Sequence, residues 1–175
     1  NPTKGNIVVN NTDLSKIKEK DIPFLRRKIG FVFQDFRLLP NKTAYENIAF
    51  AMEATGKTED EIREDVPHVL ELVDLANKVN HFPGQLSGGE KQRLAIARAI
   101  ITQPEIIIAD EPTGNLDPVN TIEVINILKK INDLGTTIIL TTHNKNVVDQ
   151  LKRRVITLQN GKIIRDDKEG KYIIK

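Results

Sequence analysis

Ile106-Ile107-Ile108-Ala109-Asp110-Glu111-Pro112 is the stretch that decides the fold. A continuous apolar run of β-formers of this length reads as a strand buried on both faces, the pattern of a parallel sheet. It ends on two adjacent carboxylates. Ligands in open α/β sheets sit at the C-terminal ends of strands, and paired acids there carry a desolvation penalty that a cation or a shared proton relieves. Asp110 is therefore a candidate Mg²⁺ holder and Glu111 a candidate base for an attacking water, as in phosphoryl transfer. Taken alone, the dipeptide is equally compatible with a solvated strand end.

Downstream, the pattern predicts a helix over Pro118–Leu134, a strand over Thr136–Thr141, a short helix over Lys145–Gln150 and a strand over Arg154–Gln159. This alternation indicates βαβ units with helices on both faces of a parallel sheet. Gln159-Asn160-Gly161-Lys162 signals a hairpin into an edge strand over Ile163–Arg165. Upstream, Gly5–Asn10 reads as a short strand, residues 11–20 as a surface connection and Asp21–Arg27 as a helical turn. Ile29–Phe33 reads as a buried strand that stops at Gln34. The middle is helical: apolar residues recur at helical spacing over Thr43–Gly56, and Thr58 caps a helix over Glu59–Leu75 that Pro67 is expected to kink or split.

The segment Leu86-Ser87-Gly88-Gly89-Glu90-Lys91-Gln92-Arg93 opens the next helix, with Ser87 and Glu90 spaced as a capping box and the helix running to about Thr102. Two glycines in a first turn weaken a helix by roughly 1 kcal/mol each relative to alanine. That weakness makes sense where backbone N–H groups must approach an anion at the positive helix end.

Composition bounds the rest. The length of 175 residues suits one domain, and a net charge of +2 gives no electrostatic case for nucleic acid or an anionic membrane as main partner. A hydrophobic share of 39% with 29% charged residues describes a chain that folds with a wet exterior. The absence of cysteine excludes disulfides, thiolate metal sites and thiol nucleophiles. No apolar run approaches the roughly 20 residues of a membrane span, and the first residues lack the layout of a signal peptide. The basic cluster Lys16, Lys18, Lys20, Arg26, Arg27 and Lys28 is interrupted by acids and reads as a solvated face.

Together these motifs resemble the ABC ATPases. Leu86–Glu90 is similar to the family's signature, and Ile106–Thr113 resembles its Walker B strand, Asp110 standing 24 positions after Leu86. Gly114-Asn115-Leu116-Asp117 resembles the D-loop, His143 the switch histidine and Gln34 the Q-loop glutamine, all in the family's order. The resemblance implies a P-loop NTPase (RecA-like) α/β fold, with residues 1–39 and 87–175 forming the core and residues 40–86 an inserted helical subdomain. It also implies ATP and Mg²⁺ as ligands. Asp110 and Gln34 would contact the metal, Glu111 would polarise the nucleophile and His143 would meet the γ-phosphate. Ser87, Gly88 and Gly89 would bind the nucleotide held by the opposite subunit of a homodimer, and Asp117 would communicate across that interface. DNA-repair relatives with the same signature insert long coiled coils between Gln34 and Ser87, and the 53 positions here leave no room for one.

One element of the family pattern is missing. A Walker A loop, Gly-x-x-x-x-Gly-Lys-Ser/Thr, follows a strand and opens a helix. Gly56-Lys57-Thr58 is not that loop, because the position of the first glycine holds Ala51 and the preceding segment has helical periodicity. Gly161-Lys162 and Gly170-Lys171 lack the Ser or Thr. The resemblance thus places the phosphate loop before residue 1, an N-terminally truncated domain that does not bind ATP well in cis. The alternative is an ATP-incompetent regulatory module.

Within the family, Val32-Phe33-Gln34-Asp35-Phe36-Arg37-Leu38-Leu39-Pro40, Tyr45-Glu46-Asn47 and Ala54-Thr55-Gly56-Lys57 resemble the bacterial cell-division branch. Ile164-Arg165-Asp166-Asp167 and Gly170-Lys171-Tyr172 resemble its tail. The Pro-Thr-Gly-Asn-Leu-Asp run is shared more widely, with lipoprotein-releasing and macrolide-type exporter ATPases, and does not discriminate; an ATPase subunit of such an exporter is the alternative within the family. The branch implies a peripheral subunit on the cytoplasmic face of the bacterial plasma membrane, driving conformational change in a membrane partner. Phe36, Leu38, Leu39 and Tyr45 are the expected docking residues for that partner.

Overall fold

The computed structural model describes residues 2–170, so Lys171 and Tyr172 lie outside the described residues. The central sheet is parallel and three-stranded, in the order β3 (Ile29–Val32), β4 (Ile106–Asp110), β5 (Thr137–Thr141). Its register aligns Val32, Ala109 and Leu140 in one row and Phe31, Ile108 and Ile139 in the next. Because side chains alternate along a strand, these rows belong to opposite faces.

The face of Gly30, Val32, Ile107 and Ala109 is buried under α4 (Gly88–Ile100) and α5 (Pro118–Asp133), whose Leu94, Ile96, Val124, Ile125 and Leu128 join the same core. α4 lies so close that a Cβ on Gly30 would stand 2.7 Å from the Ala99 carbonyl oxygen. Gly30 is glycine because the helix backbone occupies that space. The opposite face leaves Phe31 45% and Ile139 51% exposed. α4 and α5 touch each other and share one side, and among the described residues neither covers the other face.

β6 (Val155–Gln159) departs from expectation. It pairs antiparallel with β7 (Lys162–Asp167) in a separate hairpin rather than extending the parallel sheet. Asn160 and Gly161, both at positive φ, close the two-residue turn, so the strand's hydrogen bonds are met by its nearest neighbour in sequence. A second hairpin, β1 (Val8–Val9) with β2 (Thr12–Asp13), turns at Asn10 and Asn11, again at positive φ, where a longer single strand and a plain connection were expected.

Between β3 and α4, after the short α1 (Ile22–Arg27), lie α2 (Ala44–Glu53) and α3 (Glu59–Leu72). Each starts with a capping box, Thr43 with Glu46 and Thr58 with Glu61. The Lys57 ammonium and the Thr58 N–H draw the Glu61 carboxyl from 4.5 down to about 2. Pro67 sits inside α3 without splitting it. Pro67 and Arg63 are both exposed, so the Arg63 carbonyl freed by the missing N–H meets water. α6 (Lys145–Leu151) follows β5. No helix among the described residues is long and apolar enough to cross a membrane.

Candidate functional site

β4 and β5 end side by side, with Asp110 opposite Thr141. The Thr141 hydroxyl donates to Asp110 Oδ1 at 2.6 Å, and the Glu111 N–H donates to the Thr141 carbonyl at 3.1 Å. Asp110 Oδ2 takes no hydrogen bond among the described residues. Glu111 adopts a left-handed backbone (φ 45°), an uncommon state for a non-glycine residue that turns its side chain out of the strand direction. Its Oε1 accepts the His143 backbone N–H at 3.1 Å and lies 2.7 Å from His143 Nδ1. A carboxylate only accepts, so Nδ1 carries the proton and Nε2 faces away from Glu111. The His143 side chain is 79% exposed and that of Glu111 23%, so the pair orients both groups but adds little to stability.

Gln34 follows β3, beside β4, and reaches the loop after Glu111. Its Nε2 donates to Asn115 Oδ1 and Asn115 Nδ2 donates to the Gln34 carbonyl, both at 3.3 Å. A Cβ on Gly114 would stand 2.8 Å from Gln34 Nε2, so that glycine makes room for the amide. With its nitrogen engaged, Gln34 keeps its side-chain oxygen for a ligand.

At the start of α4, Glu90 N–H donates to Ser87 Oγ at 3.2 Å and Ser87 N–H donates to Glu90 Oε2 at 2.7 Å. That Ser87 donor holds the Glu90 carboxyl below its ordinary pKa, and Lys78, 3.2 Å away, adds to the effect. The N–H groups of Gly88 and Gly89 remain as first-turn donors without an intrahelical acceptor. The two glycines differ. Gly88 is exposed, and a Cβ there would meet Leu116 at an ordinary 3.6 Å. Gly89 is buried, and its Cβ would fall 1.7 Å from Asn120 Oδ1. The sequence reading gave both glycines to an anion; at Gly89, close packing of α4 on α5 accounts for the missing side chain.

Asp117 is the N-cap of α5, accepting from the N–H groups of Val119 at 2.9 Å and Asn120 at 3.0 Å. The Asn120 N–H is the main cause of its lowered pKa. The Asn120 side-chain amide also donates to Asp117. One residue thus touches both the Asp117 cap and the Gly89 turn.

Among the described residues there is no group of three or more His, Asp or Glu side chains that could hold a metal by themselves. The free Asp110 Oδ2 and the Gln34 amide oxygen are hard oxygen donors of the type Mg²⁺ accepts, and they fit a cation that takes its remaining ligands from phosphate and water.

A family profile described as ABC transporter matches residues 1–114. The chain belongs to the ABC transporter family. It is 54% identical to the cell division ATP-binding protein FtsE of Bacillus subtilis, the match spanning 98% of this chain and 75% of that protein. With the FtsE protein of Mycobacterium tuberculosis the identity is 47%, over 98% of this chain and 74% of the relative. Among solved structures, the dimeric post-hydrolysis state of the ATP-binding cassette MJ0796 bound to ADP and Pi superposes with a TM-score of 0.84 at 36% identity, covering 98% of this chain and 76% of that one. As an ABC cassette with a P-loop NTPase α/β fold, the full-length protein is an ATP-hydrolysing enzyme of the ABC type.

Of the sequence-predicted residues, Asp110, Glu111 and His143 form one connected cluster, with Gln34 beside it through Asn115. Gly89, next to Ser87 and Gly88, is joined to Asp117 through Asn120. The sequence reading missed Thr141, Asn120 and the bonding role of Asn115. Asn115 lay inside a quoted motif; Thr141 and Asn120 carry no motif and become visible only through the strand register and the helix packing.

Proposed function

We propose that this ABC ATPase acts in bacterial cell division, as the FtsE relatives do by name, converting ATP hydrolysis into conformational change of an FtsX-like membrane subunit. The single observation that carries this reading is the identity of 54% over 98% of the chain to a protein named for that process, joined to an intact Asp110–Glu111–His143 cluster. Residues 1–39 and 87–175 are the α/β core and residues 40–86 the helical subdomain. Two copies sandwich nucleotide, each offering Ser87, Gly88 and Gly89 to the nucleotide of the other, with Asp117 at the junction, a reading supported by the dimeric state of the similar MJ0796 cassette. The protein sits on the cytoplasmic face of the plasma membrane, touching the membrane only through its partner and binding no nucleic acid.

In this reading Glu111 takes the proton of the attacking water. Oε1 is held by His143, so Oε2 is the oxygen available as base. His143, with Nδ1–H committed to Glu111, turns Nε2 away from that carboxylate, and it donates to the γ-phosphate in the form that carries a proton on both ring nitrogens. Gln34 and Asp110 keep their free oxygens for metal and water. Mg²⁺, when bound, supplies Lewis-acid neutralisation of phosphate charge. The Gly88 and Gly89 N–H groups at the positive end of α4 add donors for developing negative charge from the other subunit.

The test is made on the full-length polypeptide. Mg²⁺-dependent phosphate release from ATP, together with co-purification of the neighbouring FtsX-type membrane protein, is expected. Hydrolysis without that partner, alongside co-purification of an exporter permease, would reassign the process while leaving the enzyme class intact.

A further inference from the structure

We propose that Arg98 is a positioning residue that fastens the loop after Gln34 to the signature helix α4, so that the two move together during hydrolysis; this rests on the function proposed above. Arg98 lies near the C-terminal end of α4 and is half-buried. Its Nη1 donates to the Arg37 carbonyl at 2.6 Å and its Nη2 to the Phe36 carbonyl at 3.1 Å. It forms no ion pair among the described residues, and burial pulls its pKa below the ordinary guanidinium value. A half-buried cation whose charge is met by two main-chain dipoles, with no carboxylate among the described residues, is held there by the loop it holds.

The loop needs that hold. Phe36 (φ 60°) and Arg37 (φ 47°) are consecutive non-glycine residues in the left-handed region. For L-residues the left-handed backbone brings Cβ too close to the following carbonyl oxygen, so the local sequence does not favour the shape by itself. The planar guanidinium is a two-donor fork that matches two successive carbonyls, which a lysine ammonium does not reproduce.

Two further anchors flank this one. Asn115 ties down Gln34, and fully buried Asn47 of α2 bonds the Leu39 N–H at 2.8 Å and the carbonyls of Leu39 and Lys42 at 3.1 and 2.9 Å. Of the three anchors, Arg98 alone sits on the helix whose first turn is Ser87, Gly88 and Gly89. A helix is stiff along its axis, and α4 runs uninterrupted from Gly88 to Ile100. A shift of its first turn against an anion is therefore delivered, through Arg98, to the carbonyls two and three residues past Gln34.

The experiment compares wild type, Arg98→Lys and Arg98→Gln in the full-length protein, reading ATP affinity, kcat, KM, melting temperature and hydrogen exchange of residues 34–43. For Arg98→Lys the expected result is unchanged melting and ATP affinity within about twofold, a kcat lowered by about tenfold or more at unchanged KM, and faster amide exchange after Gln34. Wild-type kcat and wild-type exchange in Arg98→Lys would overturn the proposal. So would a parallel loss of melting temperature, affinity and kcat in both variants, which marks a purely structural residue. Should wild type itself fail to hydrolyse ATP, the function proposed above falls, while the exchange comparison still decides whether Arg98 holds the loop.

Discussion

At the start of α4 the groups proposed to meet nucleotide are backbone N–H donors, and their positions are set by a capping box and by packing against Asn120. At the ends of β4 and β5 they are side chains, set by a hydroxyl–carboxylate bond and a carboxylate–imidazole bond between half-buried Glu111 and exposed His143. The first arrangement is sensitive to shape and indifferent to side-chain chemistry; the second is the reverse. Substitutions should separate stability from catalysis accordingly.

The largest effect is expected at the strand ends. Glu111→Gln keeps the size of the side chain but removes the base, and hydrolysis should fall by about 10²–10⁴-fold with little change in melting temperature. Phosphate-release kinetics beside a thermal melt check this, and a matching loss of stability would erase the contrast between the two regions.

At the helix start the ranking inverts. Gly89→Ala places a methyl inside the Asn120 side chain and should cost about 1–3 kcal/mol. Asn120→Ala in the same chain should return most of it, a coupling that a double-mutant cycle measures. Gly88→Ala meets only Leu116 at van der Waals distance and should leave stability equal or slightly raised, by up to about 1 kcal/mol from helix propensity. Equal destabilisation at both glycines would contradict the packing assigned to Gly89.

The smallest effect is electrostatic. Glu46, Glu61 and Glu90 of the capping boxes and the N-cap Asp117 all have lowered folded-state pKa values, each through hydrogen bonds to the backbone or to Lys57. A depressed carboxylate contributes stability that is fully present above its unfolded pKa and is lost as pH falls through the folded one. For Glu61 that window runs from 4.5 down to about 2. Melting temperature should therefore decline as pH falls below the ordinary carboxylate range, and Glu61→Gln should flatten part of the decline. The effect is modest, since these groups face solvent.

The caps of α3 and α4 were legible in sequence, from Thr58 and from the Ser87–Glu90 spacing, because a Ser or Thr and a Glu three residues later act on each other locally, whereas the Thr43–Glu46 box of α2 was not read. The β4 strand and its paired acids were legible because Ile106–Ala109 has no polar interruption. What escaped was long-range. Gly89 meets Asn120, and Arg98 reaches Phe36 and Arg37, across sequence separations that no periodicity reports. The β6–β7 hairpin was legible in its Asn160–Gly161 turn, but its separation from the parallel sheet was not: its strands have the composition of sheet strands, and the local turn competed successfully for their hydrogen bonds.

The central claim is that these two regions, from different copies of the chain, close on one nucleotide. Light scattering of full-length Glu111→Gln measures it most directly. With ATP and Mg²⁺ the mass of a dimer is expected, reverting to that of a monomer when Ser87→Arg is added to the same chain. A monomer that binds ATP without hydrolysing it, or a dimer indifferent to Ser87→Arg, would contradict the account.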